Sequence, residues 1–176
     1  LIKQLVYALA IKQWTTEVFY DAGNATGSPL AAVQGAKMNY GCVNGDSVQE
    51  IDGVLFWVAT NRSAAAQVIM VDNLKPRIVS TKAIERLLGE LDFTNVLSFG
   101  IKYEGHRFYG VTLKNNNITL VYDVAENMWA QWTDKDGNYF PISSTTFSST
   151  LGRIIQHESN GKLYLMDSIY YTDDGD

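Results

Sequence analysis

The chain has 176 residues, 46% of them hydrophobic and 19% charged, a globular composition that excludes an intrinsically disordered polypeptide. Its formal net charge of −5 excludes a surface built to coat DNA or RNA, which needs surplus Lys and Arg against phosphate, though not a wall past which DNA briefly slides. The single cysteine, Cys42, excludes an intrachain disulfide and reads as a small buried residue.

No apolar run approaches the ~20 residues of a membrane-spanning helix, so membrane insertion is not expected, and no charged-then-apolar leader opens the given sequence. Ten Tyr, seven Phe and four Trp suit strands, where rings pack well on a pleated surface. In chain order, an apolar run over residues 5–11 comes first. The sequence starts at Leu1, abruptly before that run, and reads as a fragment of a longer protein, with residues 1–176 forming a single domain. A strand over residues 14–21 ends in Asp21. Residues 21–34 and 61–66 read as loops. Asn44-Gly45 and Asp52-Gly53 read as hairpin turns, because Asn, Asp and Gly tolerate the positive φ such turns need.

Strand runs follow over residues 54–58 and 67–72. Residues 80–91 break the β pattern: Ile84, Leu87, Leu88 and Leu91 recur at helical spacing, and Ser80 or Thr81 is placed to cap the first turn. The expected helix has about three turns, with Gly89 as its stop or a weak point. Beyond it, Glu104-Gly105 leads into a strand over residues 107–113. Residues 118–124 form a strand ending in an Asp, and Trp129 opens the next one. Asp136-Gly137 and Asn160-Gly161 are the last expected turns, the second leading into residues 162–167. The acidic end, residues 173–176, reads as frayed.

Gly53 to Gly105 spans 52 residues and Gly105 to Gly161 spans 56, and the strands after these glycines are alike. A period near 50 with short antiparallel strands is that of propeller blades. The expected fold is therefore mainly β: repeated antiparallel sheets, a partial propeller of three to four blades, with one short helix.

Candidate chemistry is sparse. His106 and His157 lie at similar places in successive repeats, but no Cys or carboxylate stands at metal-ligand spacing beside them. Asp134-Lys135-Asp136-Gly137-Asn138 resembles the start of a calcium loop but lacks the later bidentate acid, so it reads as a turn. The serines and threonines over residues 143–150 lack a Gly-x-Ser-x-Gly elbow, and Gly23 and Gly27 lack the Lys-Ser or Lys-Thr of a phosphate loop. Lys75, Arg77, Lys82 and Arg86 form a basic stretch that reads as a solvated rim. These patterns nominate no catalytic, cofactor-binding or metal residue, so no enzyme and no cofactor is expected. A glycan-binding or glycan-cleaving propeller is the alternative, because paired carboxylates are spatial and escape sequence spacing.

The run over residues 16–30, Thr-Glu-Val-Phe-Tyr-Asp-Ala-Gly-Asn-Ala-Thr-Gly-Ser-Pro-Leu, strongly resembles the packaged-DNA stabilisation proteins of short-tailed bacteriophages. Val33-Gln34-Gly35-Ala36, Gly41-Cys42, Ser47-Val48 and the Trp57 strand continue the resemblance. So do residues 76–85, in which Val79 precedes Ser80-Thr81 and Lys82 stands where relatives commonly carry His. Tyr103-Glu104-Gly105-His106, the segment from Val121 to Ala125 and Trp129 match the blade motif. The resemblance covers residues 14–132. It implies a structural virion protein of the neck or tail, assembled in the bacterial cytoplasm. It also implies a homo-oligomeric ring around the channel for double-stranded DNA, retaining the packaged genome and joining portal or adaptor to other tail proteins.

Overall fold

The computed structural model describes residues 1–61 and 65–169, which include most of one expected loop (61–66) but not the acidic end, residues 173–176. The chain divides into two compact units, Leu1–Leu91 and Asp92–Asp176. Each holds two antiparallel sheets.

In the first unit, β1 (Ile2–Gln4), β2 (Tyr7–Ile11), β3 (Thr16–Asp21) and β4 (Leu30–Ala32) form the first sheet in that order. The strand β4 falls inside the stretch read as a loop; its three residues, Leu-Ala-Ala, show no alternation long enough to signal a strand. The second sheet has β5 (Gly41–Cys42), β7 (Val54–Thr60), β8 (Gln67–Asp72) and β9 (Lys75–Ile78), with β6 (Gln49–Ile51) also paired to β7. In the second unit, β10 (Val96–Tyr103), β11 (His106–Leu113), β12 (Ile118–Asp123) and β13 (Met128–Gln131) form the third sheet. The fourth is β14 (Ile142–Ser148), β15 (Gly152–His157) and β16 (Leu163–Met166).

The turns explain the repeat and correct it. Asp52-Gly53 and Glu104-Gly105 both have positive φ and join first to second strands of the β6–β9 and β10–β13 meanders. The matching turn of the fourth sheet is at Gly152, φ 92°, 47 residues after Gly105, not at Asn160-Gly161. Asn160-Gly161 lies one strand later, between β15 and β16, so the 56-residue spacing compares unlike turns. In the first sheet the same turn is made at Leu5, φ 55°, with no glycine to advertise it. Asn44-Gly45 is not a hairpin. Asn44 caps a 3-10 turn, Gly45–Ser47, its side-chain oxygen accepting from the Asp46 amide at 2.9 Å.

A second repeated device sits at the end of each third strand. Asp21 and Asp123 end β3 and β12, and Asp167 follows β16; each carboxylate accepts from the amide two residues on, at Gly23, Ala125 and Ile169, at 2.9–3.1 Å. Such Asx turns start the bend that reverses the chain. Asp72 ends β8 in the same place, but there Asn73 and Leu74 turn the chain with positive φ at both positions.

One α-helix, α1 (Lys82–Leu88), is present among the described residues, within the expected stretch but two turns long. Thr81 caps it, its hydroxyl accepting from the Ile84 amide at 3.3 Å, and Gly89 ends it. The helix lies against β8, and Gln67 Nε2 donates to Glu85 at 3.1 Å.

Burial separates the sheets. In β7 the five residues from Leu55 to Ala59 are all buried, and so are the last five of β11 and residues 119–122 of β12. These strands have both faces covered, which accounts for their near-continuous apolar character. Strand β3 instead alternates, and β15 buries only Ile155.

The first unit's core joins Leu9, Val18 and Met38 to Leu55, Trp57, Ile69 and Val71. Gln4, 2% exposed, staples the two sheets: its Nε2 donates to the carbonyls of Val71 (2.8 Å) and Gly53 (2.9 Å). A buried amide is tolerated because it finds such partners. In the second unit Phe99, Ile101 and Val121 meet Ile142 and Ile155, roofed by Trp132 and Phe140.

Phe99 lies over Gly110, where a Cβ would sit 2.1 Å from the ring tip. Gly110→Ala is expected to push Phe99 off Trp132 and Phe140, costing about 1–3 kcal/mol of the second unit's stability. Thermal unfolding with near-ultraviolet circular dichroism checks this; an unchanged aromatic signal would show that the ring has room to move.

Candidate functional site

The residues singled out from sequence do not converge. His106 opens β11, whereas His157 closes β15, so the two occupy opposite ends of second strands rather than equivalent positions. His106 Nδ1 lies 2.6 Å from Asp123 Oδ2, and its ring stacks on Phe108 at 5.6 Å and 5°. The other Asp123 oxygen already accepts from the Ala125 amide. This pair fastens the β11 end to the β12 end, and His157 is tied to Ser159 instead.

The Asp134 loop is a self-closed turn. Asp134 accepts from the amides of Asp136 (2.9 Å) and Asn138 (2.7 Å), and its second oxygen from Asn138 Nδ2 (3.2 Å). Against some burial, these bonds hold its carboxyl below the usual carboxylate value. Its oxygens are thus spent on the chain itself. Among the described residues, no group of three or more His, Cys, Asp and Glu has a geometry to hold a metal ion.

Cys42 is half-buried; its thiol donates to the Asn44 carbonyl at 2.8 Å, and burial pushes its pKa up. It lines a cavity of about 550 Å³ with Ile11, Lys12 and Val48. Lys12 pairs with Glu17 at 2.9 Å, so the cavity's thiol and ammonium are both engaged. A thiol whose pKa is raised is a poor nucleophile, because the thiolate is the reactive form.

The Ser/Thr stretch is strand β14, and its Ser143 and Ser144 hydroxyls donate to Gln156. The basic residues lie on two exposed elements, Lys75 and Arg77 on β9 and Lys82 and Arg86 on α1, with Lys82 paired to Glu85 at 2.7 Å. Charges and Pro76 on β9 blunt an edge that would otherwise pair with another chain. The aromatic group of Phe99, Trp132 and Phe140 packs between the third and fourth sheets, with centroid separations of 5.4–6.3 Å. It is core packing rather than a stacking platform for sugars.

A partial propeller of three to four blades is expected to leave two open faces lined with apolar and aromatic side chains, and the structure shows where apolar residues lie bare. In the fourth sheet, Ile155 and Met166 point to the third sheet, while Ile154, Leu163 and Leu165 lie on the opposite side, Leu163 68% and Leu165 40% exposed. In the first sheet, Leu9 and Val18 face the core, and Ala8, Phe19 and Ala32 lie in register on the opposite side. A hollow of about 330 Å³ opens there, lined by Val6, Ala8, Phe19 and Leu30. The alternation in β3 is the signal that marks a one-sided strand.

A family model described as bacteriophage P22 Gp10, β-propeller, matches residues 2–167. The chain belongs to the P22 Gp10 family. It is a phage packaged-DNA stabilisation protein, a structural component of the virion, and the family's propeller agrees with its repeated antiparallel sheets. A comparison with curated proteins finds no match. The match extends beyond the blade motifs into the fourth sheet, whose sequence carries little of the motif. No described helix of this P22 Gp10 family member is long and apolar enough to cross a membrane.

Proposed function

We propose that this chain serves in the neck or tail of a phage as part of a ring around the DNA channel. There it retains the packaged genome and joins the portal or adaptor to further tail proteins, without catalysis. The observation that carries this reading is the family match over residues 2–167, on a scaffold whose His106, Asp123 and Asp134 are engaged in strand ends and turns of the chain itself. Net charge supports it: at −5 the surface has no surplus of cations to grip phosphate, and a channel wall must let DNA pass.

The four sheets are part of a larger propeller. The apolar faces of the first and fourth sheets support this, because each blade of a propeller is normally covered by its neighbours. Burying such faces is favourable at ~25 cal/mol per Å² of apolar surface, so they drive association with further sheets. The basic rim on β9 and α1 suits an acidic neighbour in the tail.

Electron microscopy of the parent virion tests the reading. The expected result is density for these sheets in a ring below the portal, with premature genome loss from particles lacking the protein. Density on a receptor-binding fibre, or turnover of host-surface polysaccharide abolished by one carboxylate substitution, would overturn it.

A further inference from the structure

The fourth sheet keeps few of its own apolar side chains out of water. Only Ile142 and Ile155 of its hydrophobic residues are buried, whereas the third sheet buries residues on both faces of β11 and β12. Its other face is bare.

Two polar clasps compensate, one near each end of β15. At its start, Arg153 reaches across to β10, its Nε and Nη2 donating to the Lys102 carbonyl at 3.3 and 3.2 Å, with the guanidinium 5.6 Å from the centre of the Phe147 ring. Just past its end, Glu158 accepts from Lys114 Nζ on one oxygen and from the Tyr139 hydroxyl on the other, at 3.2 Å. Lys114 lies in the 3-10 turn Lys114–Asn116 that follows β11, and Tyr139 in the connection to β14. The Glu158 amide donates to the Pro141 carbonyl at 2.8 Å. The knot therefore ties three separate segments. Its charged side chains are 21% and 28% exposed, so water screens the pair only in part. Burial, and then the Glu158 charge, push the Tyr139 phenol up, which keeps it a donor.

We propose that the fourth sheet is a releasable flap: residues 142–166 lift from the third sheet as one unit, and the Lys114–Glu158–Tyr139 knot sets how often. Lifting uncovers Phe99, Trp132 and Phe140, an aromatic surface open to an incoming apolar sheet. Local openings of this kind belong to regions with few buried apolar contacts. The device does not depend on the role assigned in the virion.

Amide hydrogen exchange read by mass spectrometry tests it on the whole chain. In the wild type, residues 142–166 are expected to exchange together and faster than residues 96–131, and raising salt is expected to speed them selectively. Lys114→Met and Glu158→Gln are each expected to raise exchange of residues 142–166 by about threefold to tenfold, leaving residues 96–131 unchanged. The double variant is expected to add little to either single one, because both remove the same contact. Arg153→Met, at the other clasp, is expected to act on the same residues.

Two outcomes would overturn the proposal. One is exchange of residues 142–166 and 96–131 at one common rate in the wild type. The other is additive effects of Lys114→Met and Glu158→Gln. Should a variant fail to fold, the wild-type salt series serves instead: exchange of residues 142–166 that salt leaves unchanged would overturn the proposal as well.

Discussion

Gly41→Ala is expected to destabilise the first unit by about 3 kcal/mol, near the upper end for adding one methyl group to a packed site. A Cβ at Gly41 would lie 2.0 Å from the Gln13 carbonyl oxygen and 2.3 Å from the Trp14 amide nitrogen. Those are backbone atoms, and no rotamer change can clear them. Either β5 leaves the segment that joins β2 to β3, or that segment bends. Both movements strain the bonds that fix this corner: Cys42 amide to Lys12 carbonyl at 2.9 Å, and Thr16 hydroxyl to Tyr40 carbonyl at 2.8 Å. Glycine is needed here for close approach of two backbones, not for an unusual dihedral. Urea denaturation followed by tryptophan fluorescence gives the test. A midpoint lowered at unchanged slope is the expected outcome, whereas a change under about 0.5 kcal/mol, the size of an ordinary surface substitution, would mean the two backbones separate freely.

Trp57→Ala is expected to cost more, about 3–5 kcal/mol. Trp57 is fully buried at the centre of β7, packed with Leu9, Val18, Ile69 and Val71 where the first sheet meets the second. Truncation leaves a large void that the surrounding strands, fixed by their ladders, can close only in part. The indole also donates from Nε1 to the Gly41 carbonyl at 2.8 Å, and truncation removes that bond. Trp57→Phe separates the two contributions: it keeps most of the volume, removes the donor, and is expected to cost about 1–3 kcal/mol. Since Trp57 and Gly41 share this bond, the double variant Gly41→Ala, Trp57→Ala is expected to cost less than the two single losses together. Strict additivity in a denaturation series would contradict the shared contact.

The bare faces of the first and fourth sheets and the weak hold on the fourth bear on how such a protein is built into a virion. A two-sided strand such as β7 or β11 is stable because both faces are covered. A one-sided strand such as β15 has only one face covered. An edge sheet that opens locally offers a neighbour its buried aromatic surface as well as its bare one.

Much of the fold was legible in the residues themselves. Asp52-Gly53 and Glu104-Gly105 mark real hairpins because positive φ is a local demand that Gly meets without a Cβ penalty. Residues 84–91 announce α1 through helical spacing, Thr81 announces its start, and Gly89 ends it at two turns. The aspartates that close the third strands are visible for the same reason: an Asx turn is made within three residues. The sequence also determined the absence of local motifs for nucleophilic or metal chemistry.

Only the tertiary structure decided the rest. Leu5 takes positive φ without any residue signal because the strands on either side, paired from Ile2 to Leu9, impose it. The close approach at Gly41 involves residues far along the chain, and nothing beside Gly41 reveals it. Arg153 finds Lys102 and Glu158 finds Lys114 across 51 and 44 residues. Propensity and spacing act over one turn or one hairpin, whereas these contacts depend on which faces two sheets present to each other. That is set by register, and a one-residue slip would send Ile155 outward and Leu165 inward.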